Sequence, residues 1–174
     1  MKNIFNFKNK KVLILGGSSG FGAKIAEVFN FLGSKVIIAS RNESKLKKVV
    51  KKCKYKKNIE YYIIDINDEE KLNYFIKKLN IKYKFLNIIV FCCGINIRAK
   101  FHEIKKNDLN DLLNTNFISS VNFYRKIFPL IKNKKITTRI INFTSIFSNR
   151  TFEERTSYST SKAALKMLTK NLAL

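Results

Sequence analysis

A short apolar segment that runs straight into a glycine-rich turn limits most strongly what this chain can fold into. Residues Lys11–Leu15 read Lys-Val-Leu-Ile-Leu, and Gly16-Gly17-Ser18-Ser19-Gly20-Phe21-Gly22 follow directly. A continuous apolar run of this length, ended by a turn signal, is typical of a strand buried on both faces of a parallel sheet. A helical pattern comes next and ends at Gly33. Its apolar face contains Ile25, Ala26, Phe29 and Leu32.

In a turn between a strand and a helix, three of the glycines have separate physical roles. Gly16 permits a tight turn, Gly20 lets a ligand approach the backbone, and Gly22 lets the helix pack close to the strand. The free N–H groups and positive dipole end of the helix then favour a diphosphate. The spacing G-x3-G-x-G differs from the commoner dinucleotide fingerprint, and a plain glycine-rich turn remains the alternative. The residues predicted to contact a dinucleotide here are Gly16, Ser18, Ser19, Gly20, Phe21 and Gly22.

The rest of the chain alternates between strand and helix patterns. The predicted strands are Lys35–Ser40, Ile59–Asp65, Phe85–Cys93 and Thr138–Ser145. The predicted helices are Glu43–Lys52, Glu69–Leu79, Asn107–Lys132 and Ser157–Leu174. Such alternation is typical of βα units that form a parallel sheet between helices. We therefore predict one α/β domain over residues 1–174, a Rossmann-like doubly wound sheet with about five strands.

The end of the second predicted strand bears on which dinucleotide would bind. Dinucleotide folds place an acid there to hold the adenosine ribose, or an arginine to accept a 2′-phosphate. Here Ser40 occupies that place and Arg41 follows it. A guanidinium binds a phosphate in bidentate fashion, so the sequence favours NADP(H) over NAD(H). Asp65 and Ile66, after the third strand, are predicted to lie beside the adenine, with a plain turn as the alternative for Asp65.

The chain is strongly basic. Its 174 residues contain 35 Lys and Arg against 12 Asp and Glu, a formal net charge of +23 at pH 7. This charge would suit an acidic partner, and a basic nucleic-acid-binding protein is one hypothesis. The lysines are spread along the whole chain instead of forming a tail, so we favour compositional drift and expect no nucleic-acid partner.

Other classes of protein find little support in the sequence. The longest apolar run, Phe85–Ile95, is too short to cross a membrane, and no signal peptide is recognisable at the N-terminus, so we expect a cytoplasmic protein without a membrane partner. Cys92 and Cys93 lie in that apolar run and are predicted to be buried thiols. No cysteine or histidine spacing indicates a metal site.

Near the C-terminal end, Tyr158 and Lys162 stand four residues apart. On a helix this spacing puts both side chains on one face. An ammonium beside a phenol favours the phenolate, and we expect it to lower the pKa of Tyr158. A phenol tuned in this way can give or take the proton when a carbonyl and an alcohol interconvert. The pair alone is weak evidence, because a chain rich in Lys and Tyr contains such spacings by chance.

Taken in order, these motifs resemble the short-chain dehydrogenase/reductase family over essentially the whole chain. Leu15-Gly16-Gly17-Ser18-Ser19-Gly20-Phe21-Gly22 is similar to the family's T-G-x-x-x-G-x-G, with Leu15 in place of Thr. Phe91-Cys92-Cys93-Gly94 stands where the family has N-N-A-G and keeps only the glycine. The remaining matches are Asp65 after the third strand, Asn116 in a helix, Ser145 at a strand end, and the Tyr158-x-x-x-Lys162 signature.

The resemblance implies roles for these residues. Tyr158 would be the acid or base, and Lys162 would assist it and hold the nicotinamide ribose. Ser145 would hydrogen-bond the substrate oxygen, and Asn116 would hold a water that relays protons from Lys162. Cys93 and Gly94 would border the cofactor. A strand-end cap is the alternative reading for Ser145, and a polar helix residue for Asn116.

The implied activity is NADP(H)-dependent interconversion of a ketone and a secondary alcohol. A 3-oxoacyl thioester and a sugar- or polyol-type substrate both remain open. The sequence stops inside the Ser157–Leu174 helix, whereas family members normally continue, so we expect a C-terminally truncated fragment or a decayed enzyme. A non-catalytic remnant that at most binds nucleotide is therefore the alternative. Family members usually pair through the helices that correspond to 107–132 and 157–174, which implies a homodimer or homotetramer for a full-length chain.

Overall fold

The computed structural model describes residues 6–132 and 136–174 of the chain. The described residues fall into two compact units. The first draws on Met1–Cys92 and Ile127–Ile141, and the second on Cys93–Lys126 and Asn142–Leu174. The prediction of a single domain over residues 1–174 stays a prediction.

The first unit is built on a parallel sheet. The strands are β1 (Lys11–Leu15), β2 (Lys35–Ser40), β3 (Ile59–Ile63), β4 (Ile88–Phe91) and β5 (Arg139–Asn142). They lie in the order β3-β2-β1-β4-β5, which confirms the predicted doubly wound arrangement. β1 and β4 lie side by side at the centre of the sheet. All residues are buried over Val12–Leu15 of β1 and over Ile88–Phe91 of β4. Uniform burial of this kind is why both segments read as unbroken apolar runs.

The register brings the carboxyl ends of three strands together. Leu15 of β1 pairs with Ala39 of β2 on one side and with Phe91 of β4 on the other. The strand order reverses at β1, since β2 lies on one side of it and β4 on the other. In open α/β sheets, ligands bind outside the carboxyl ends of the strands at such a switch point.

Three helices connect the first four strands: α1 (Gly20–Phe31), α2 (Glu43–Lys52) and α3 (Glu69–Lys82). The side chain of Asn42 caps α2 by accepting from the Lys45 amide at 2.9 Å. Asp68 caps α3 in the same way by accepting from the Lys71 amide at 3.0 Å. Gly33, at φ 84°, ends the segment after α1 as the sequence indicated.

Three of the predicted strands are longer than those observed. Asn87 lies before the start of β4, and its side-chain oxygen accepts from the Lys11 amide at 2.9 Å. The chain after Asn142 leaves the sheet in a tight turn, in which the Thr144 amide donates to the Asn142 carbonyl. Residues 64 and 65 likewise lie beyond the end of β3.

The second unit contains α4 (Lys106–Leu113), most of α5 (Ser119–Ile131) and α6 (Thr156–Asn171). The predicted helical stretch over 107–132 is present, because α4, a π-helical turn at Asn114–Ile118 and α5 follow one another without a break from residue 106 to residue 131. Such turns occur frequently at functional sites, because the extra residue redirects one side chain. A 3-10 turn, Ile146–Ser148, precedes α6.

Candidate active site

The glycine turn of the first unit has the geometry that the sequence suggested. Gly16 has φ 77° and Gly20 has φ 51°, both in the region that favours glycine. A Cβ at Gly22 would lie 2.4 Å from the Gly16 carbonyl oxygen, so only glycine lets α1 approach the turn this closely. A Cβ at Gly20 would meet no atom within 4 Å, so the backbone there is open to a ligand.

Gly17 is a residue of this turn that sequence reasoning missed. A Cβ at Gly17 would lie 2.8 Å from the Cβ of Ile38 on β2. The amides of Gly16 and Gly17 both donate to the Ala39 carbonyl, at 2.9 and 3.3 Å. The turn is therefore fastened to β2, a contact that no local pattern could reveal.

The beginning of α1 is suited to an anion. Ser19 precedes the helix in an extended conformation, and its side chain forms no capping hydrogen bond. The first turn of α1 contains no acidic residue. A cleft of about 450 Å³ opens beside it. Its lining is Ser18, Ser19, Gly20, Ala23, Lys24, Glu27, Lys45, Lys48, Val49 and Lys52. Uncapped N–H groups and several ammonium groups thus share one cleft.

The carboxyl end of β2 lies against the same turn. The hydroxyl groups of Ser18 and Ser40 are 2.8 Å apart and hydrogen-bonded. The Arg41 guanidinium lies 3.8 Å from the Asp65 carboxylate, and the Arg41 side chain is 68% exposed. Four of the predicted nucleotide residues are thus brought together. Phe21 instead points largely to solvent, with 74% of its surface exposed, and Ile66 is buried.

Tyr158 and Lys162 lie in α6, within the second unit. The Lys162 ammonium nitrogen is 5.8 Å from the centre of the Tyr158 ring, so the two side chains do share a face. Lys162 is only 4% exposed, and its ammonium donates to the Phe143 carbonyl at 2.8 Å. Among the described residues none hydrogen-bonds the Tyr158 hydroxyl, which is left available for another partner.

Ser145 lies at the end of the segment that follows β5. Its side-chain oxygen accepts a hydrogen bond from the Phe147 amide at 3.2 Å, so it caps the 3-10 turn. An accepting hydroxyl retains its own proton, and Ser145 can therefore still donate to another group. The Phe147 ring in turn lies edge-on to the Tyr158 ring, with centres 6.1 Å apart.

Asn116 lies buried in the wide turn between α4 and α5. Its amide oxygen accepts from the Ile95 amide at 2.7 Å, and its amide nitrogen donates to the Ile95 carbonyl at 2.9 Å and the Ser161 hydroxyl at 3.0 Å. A Cβ at Gly94 would lie 3.2 Å from the Lys162 nitrogen and 3.3 Å from the Asn116 oxygen. Gly94 therefore borders both polar groups.

Cys93 is half-buried, so the prediction that both neighbouring thiols are buried was wrong. The reason is that the chain leaves the sheet at Phe91.

Two supporting features of this cluster were also missed. Ser161 is fully buried and also donates to the Tyr158 carbonyl at 2.8 Å. Asn142 accepts from the Tyr124 hydroxyl at 2.6 Å and donates to the Thr169 hydroxyl at 2.9 Å. The serines and alanines around Tyr158 indicate close packing. Their hydrogen-bond partners are distant in sequence, so the sequence alone could not identify them.

A family model described as short chain dehydrogenase matches residues 10–174. The chain belongs to the short chain dehydrogenase family. This family consists of oxidoreductases that bind NAD(P), and the chain is an enzyme of that class. The assignment confirms the resemblance seen in the ordered motifs.

Curated relatives agree with this assignment. A 3-oxoacyl-acyl-carrier-protein reductase of Rickettsia prowazekii is 32% identical over 170 residues, which cover 98% of this chain and 68% of the relative. An oxidoreductase of Staphylococcus saprophyticus is 28% identical over 95% of this chain and 71% of its own length.

Among solved structures, ElxO with NADP bound is 31% identical with a TM-score of 0.87, and covers 95% of this chain. The match spans 67% of the ElxO chain. A short-chain dehydrogenase from Streptomyces avermitilis is 26% identical with a TM-score of 0.88. There the match covers 95% of this chain but only 60% of the other.

Neither a membrane-spanning helix nor a cluster of metal ligands occurs among the described residues. None of their helices combines the length and apolar character that crossing a membrane requires. Over residues 6–132 and 136–174, no three His, Cys, Asp or Glu side chains gather as metal ligands would.

Proposed function

We propose that this protein is an NADP(H)-dependent oxidoreductase that interconverts a ketone and a secondary alcohol, with Tyr158 as the acid or base. The observation that carries the proposal is the pairing of Tyr158 with a buried ammonium. Lys162 is 4% exposed, and its ammonium nitrogen lies 5.8 Å from the Tyr158 ring centre. Water screens a buried charge weakly, so this ammonium acts on the phenol more strongly than an exposed lysine would.

The described side chains can move and hold a proton in the required way. In the reducing direction the Tyr158 hydroxyl donates its proton to the substrate oxygen. The Lys162 ammonium stabilises the negative charge left on the phenol oxygen. Ser145 donates a second hydrogen bond to the same substrate oxygen, since its own oxygen accepts from the Phe147 amide and leaves its proton available. Asn116 positions the Gly94–Ile95 backbone beside Lys162 through its two bonds to Ile95.

The residues of the glycine turn fit a dinucleotide. Gly20 presents open backbone, and the α1 N-terminus lacks a side-chain cap. Gly16, Ser18, Ser19, Gly20 and Gly22 would hold the diphosphate, and Ser40 and Arg41 the adenosine ribose with its phosphate. When bound, the nicotinamide cofactor supplies or accepts the hydride.

The substrate is either a 3-oxoacyl thioester or a ketone of the sugar or polyol type. The Rickettsia relative, at 32% identity, is named a 3-oxoacyl-acyl-carrier-protein reductase, which supports the first class. A structure described as a gluconate dehydrogenase is only 22% identical. It therefore shows a shared fold and does not support the sugar or polyol class.

Replacement of Tyr158 by Phe tests the chemistry. We expect turnover to fall by about a hundredfold to ten-thousandfold, because general acid catalysis contributes that much. NADPH affinity should change by less than about fivefold, since at most one neutral hydrogen bond is lost and the proposed diphosphate contacts are untouched. NADPH consumption with both substrate classes measures the first quantity, and fluorescence titration the second.

Tyr74→Phe is the matched control, because Tyr74 lies on α3 and is 61% exposed. It should keep the parental rate. Full turnover in Tyr158→Phe would show that another group transfers the proton.

Arg41 tests the preference for NADP(H). We expect the parental protein to bind NADPH more tightly than NADH, and Arg41→Ala to weaken NADPH binding by about tenfold to a hundredfold, the value of a charge-assisted pair. Lys77→Ala removes the same charge from an exposed position on α3 and serves as the control. Equal affinity of the parental protein for NADPH and NADH would show that Arg41 does not select NADPH.

Self-association is part of the proposal. Ile118 and Met167, in the second unit, are 43% and 56% exposed although both are apolar. Each lies on one of the two helices through which family members usually pair, and apolar surface buried between copies would stabilise that pairing. We infer a homodimer or homotetramer for the full-length protein.

A further inference from the structure

Arg155, which immediately precedes α6, has a guanidinium that nothing in the described part of the chain neutralises. Its Nη1 atom is shielded from solvent and has no hydrogen-bond partner there. None of the ion pairs within 4.0 Å among the described residues includes Arg155. A charged group that is partly withdrawn from water and left unpaired destabilises the fold, so its presence here indicates a role other than stability.

The guanidinium lies close to the proposed acid. Arg155 is three residues before Tyr158, and its guanidinium carbon is 5.5 Å from the centre of the Phe147 ring. The same ring neighbours Tyr158, at 6.1 Å between ring centres. Arg155 and Tyr158 therefore lie against one aromatic ring, which follows Ser145 in the chain by two positions.

The backbone fixes Arg155 in this place. Glu154 has φ 61°, a left-handed conformation that is unfavourable for a residue other than glycine. The Glu154 carbonyl accepts from the Ala99 amide at 3.4 Å, and the Arg155 amide donates to the Phe152 carbonyl at 3.3 Å. Strain of this kind is concentrated at functional sites.

A second unused polar group lies one turn further along the helix. Ser159 is 9% exposed, and its hydroxyl has no hydrogen-bond partner among the described residues. The first turn of α6 has neither a side-chain cap nor an acidic residue. The start of α6 thus gathers a guanidinium, a hydroxyl and a positive dipole end, all of which favour an anion.

We infer that Arg155 is a specificity-determining residue that binds an anionic group of the substrate, a carboxylate or a phosphate, while the substrate carbonyl lies at Tyr158 and Ser145. This inference rests on the proposed interconversion of a ketone and a secondary alcohol. It selects a ketone with an acid group, such as an oxocarboxylate or a sugar phosphate, over an uncharged thioester or sugar. The hydrocarbon part lies along Phe147 and Phe152, whose rings meet edge-on with centres 5.6 Å apart. Phe152 is 65% exposed and offers apolar surface for this purpose.

The test compares charged and neutral forms of one carbonyl compound. The panel consists of 2-, 3- and 4-oxocarboxylates with their methyl esters, and of dihydroxyacetone phosphate with dihydroxyacetone. For each pair, kcat/KM with NADPH and the dissociation constant by calorimetry are measured for the parental protein and for Arg155→Gln. We expect at least one anion to be preferred over its neutral form, and Arg155→Gln to reduce that preference by about tenfold to a hundredfold. The charged compound that the parental protein prefers shows whether Arg155 binds a carboxylate or a phosphate.

Arg150→Gln is the matched control, because Arg150 is exposed in the same loop and its loss removes the same charge. It should change the preference by less than about twofold, as exposed charges do. Arg155→Lys should restore part of the preference lost in Arg155→Gln, which a purely structural role would not produce.

The inference is overturned if no anion is preferred by the parental protein, or if Arg155→Gln weakens charged and neutral compounds equally. The binding measurement separates this outcome from failure of the proposed chemistry. A protein that turns over none of the compounds, yet binds an anion in an Arg155-dependent manner, would contradict the redox proposal and support the role of Arg155.

Discussion

Gly22 is the position in the glycine turn where an added methyl group should destabilise the fold most. In Gly22→Ala the new Cβ would lie 2.4 Å from the Gly16 carbonyl oxygen, 3.0 Å from the Gly16 carbonyl carbon and 3.2 Å from the Gly17 Cα. Carbon and oxygen atoms ordinarily stay roughly 3.3 Å or more apart, so α1 or the turn must shift by about 1 Å. All three contacts are with backbone, which cannot rotate away as a side chain can.

We therefore expect a loss of about 3 kcal/mol in the free energy of unfolding, the upper part of the range for overpacked sites. For a chain of this length, that loss lowers the Tm by about 6–12 °C. With a urea m-value of about 2 kcal/mol/M, the midpoint falls by about 1.5 M. Thermal and urea denaturation followed by circular dichroism measure both quantities.

Gly20→Ala is the matched comparison in the same turn. A Cβ there meets no atom within 4 Å, and the cost comes only from φ 51°, about 1–2 kcal/mol. Gly20→Ala should therefore be more stable than Gly22→Ala, while NADPH binding, if the proposed function holds, should weaken because the methyl group covers open backbone. The steric argument is refuted if Gly22→Ala proves as stable as Gly20→Ala.

Two further predictions concern other parts of the first unit. Burial, assisted by a hydrogen bond to Glu60, raises the pKa of Tyr83 above its ordinary value of 10.0. As pH rises, the unfolded chain therefore loses the phenol proton before the folded protein does. The free energy of unfolding should then fall as pH rises above about 10. In urea titrations between about pH 8 and 11, Tyr83→Phe should remove much of this pH dependence. Asn30→Ala should cost about 2–3 kcal/mol, because Asn30 bonds the Tyr55 amide at 2.8 Å and the Tyr55 carbonyl at 2.9 Å. A loss under about 0.5 kcal/mol in denaturant titration would show that water replaces both bonds.

The features that the sequence revealed by itself are local ones. The buried strand Lys11–Leu15, the glycines after it and the spacing of Tyr158 and Lys162 are set by residues that are neighbours in the chain. Strand periodicity, turn chemistry and helix spacing act over a few residues, so they can be read without coordinates. The order of βα units then leaves few possible topologies, which is why the parallel sheet was predictable.

The tertiary structure decided what depends on residues far apart in sequence. It placed Ile38 against Gly17. It joined Asn116 to Ile95 and Ser161 at a π-helical turn within the predicted helix. It also left the Arg155 guanidinium beside the Phe147 ring without a counter-charge among the described residues. Whether a buried polar group is satisfied depends on atoms that only folding brings together, and no pattern within one segment records it.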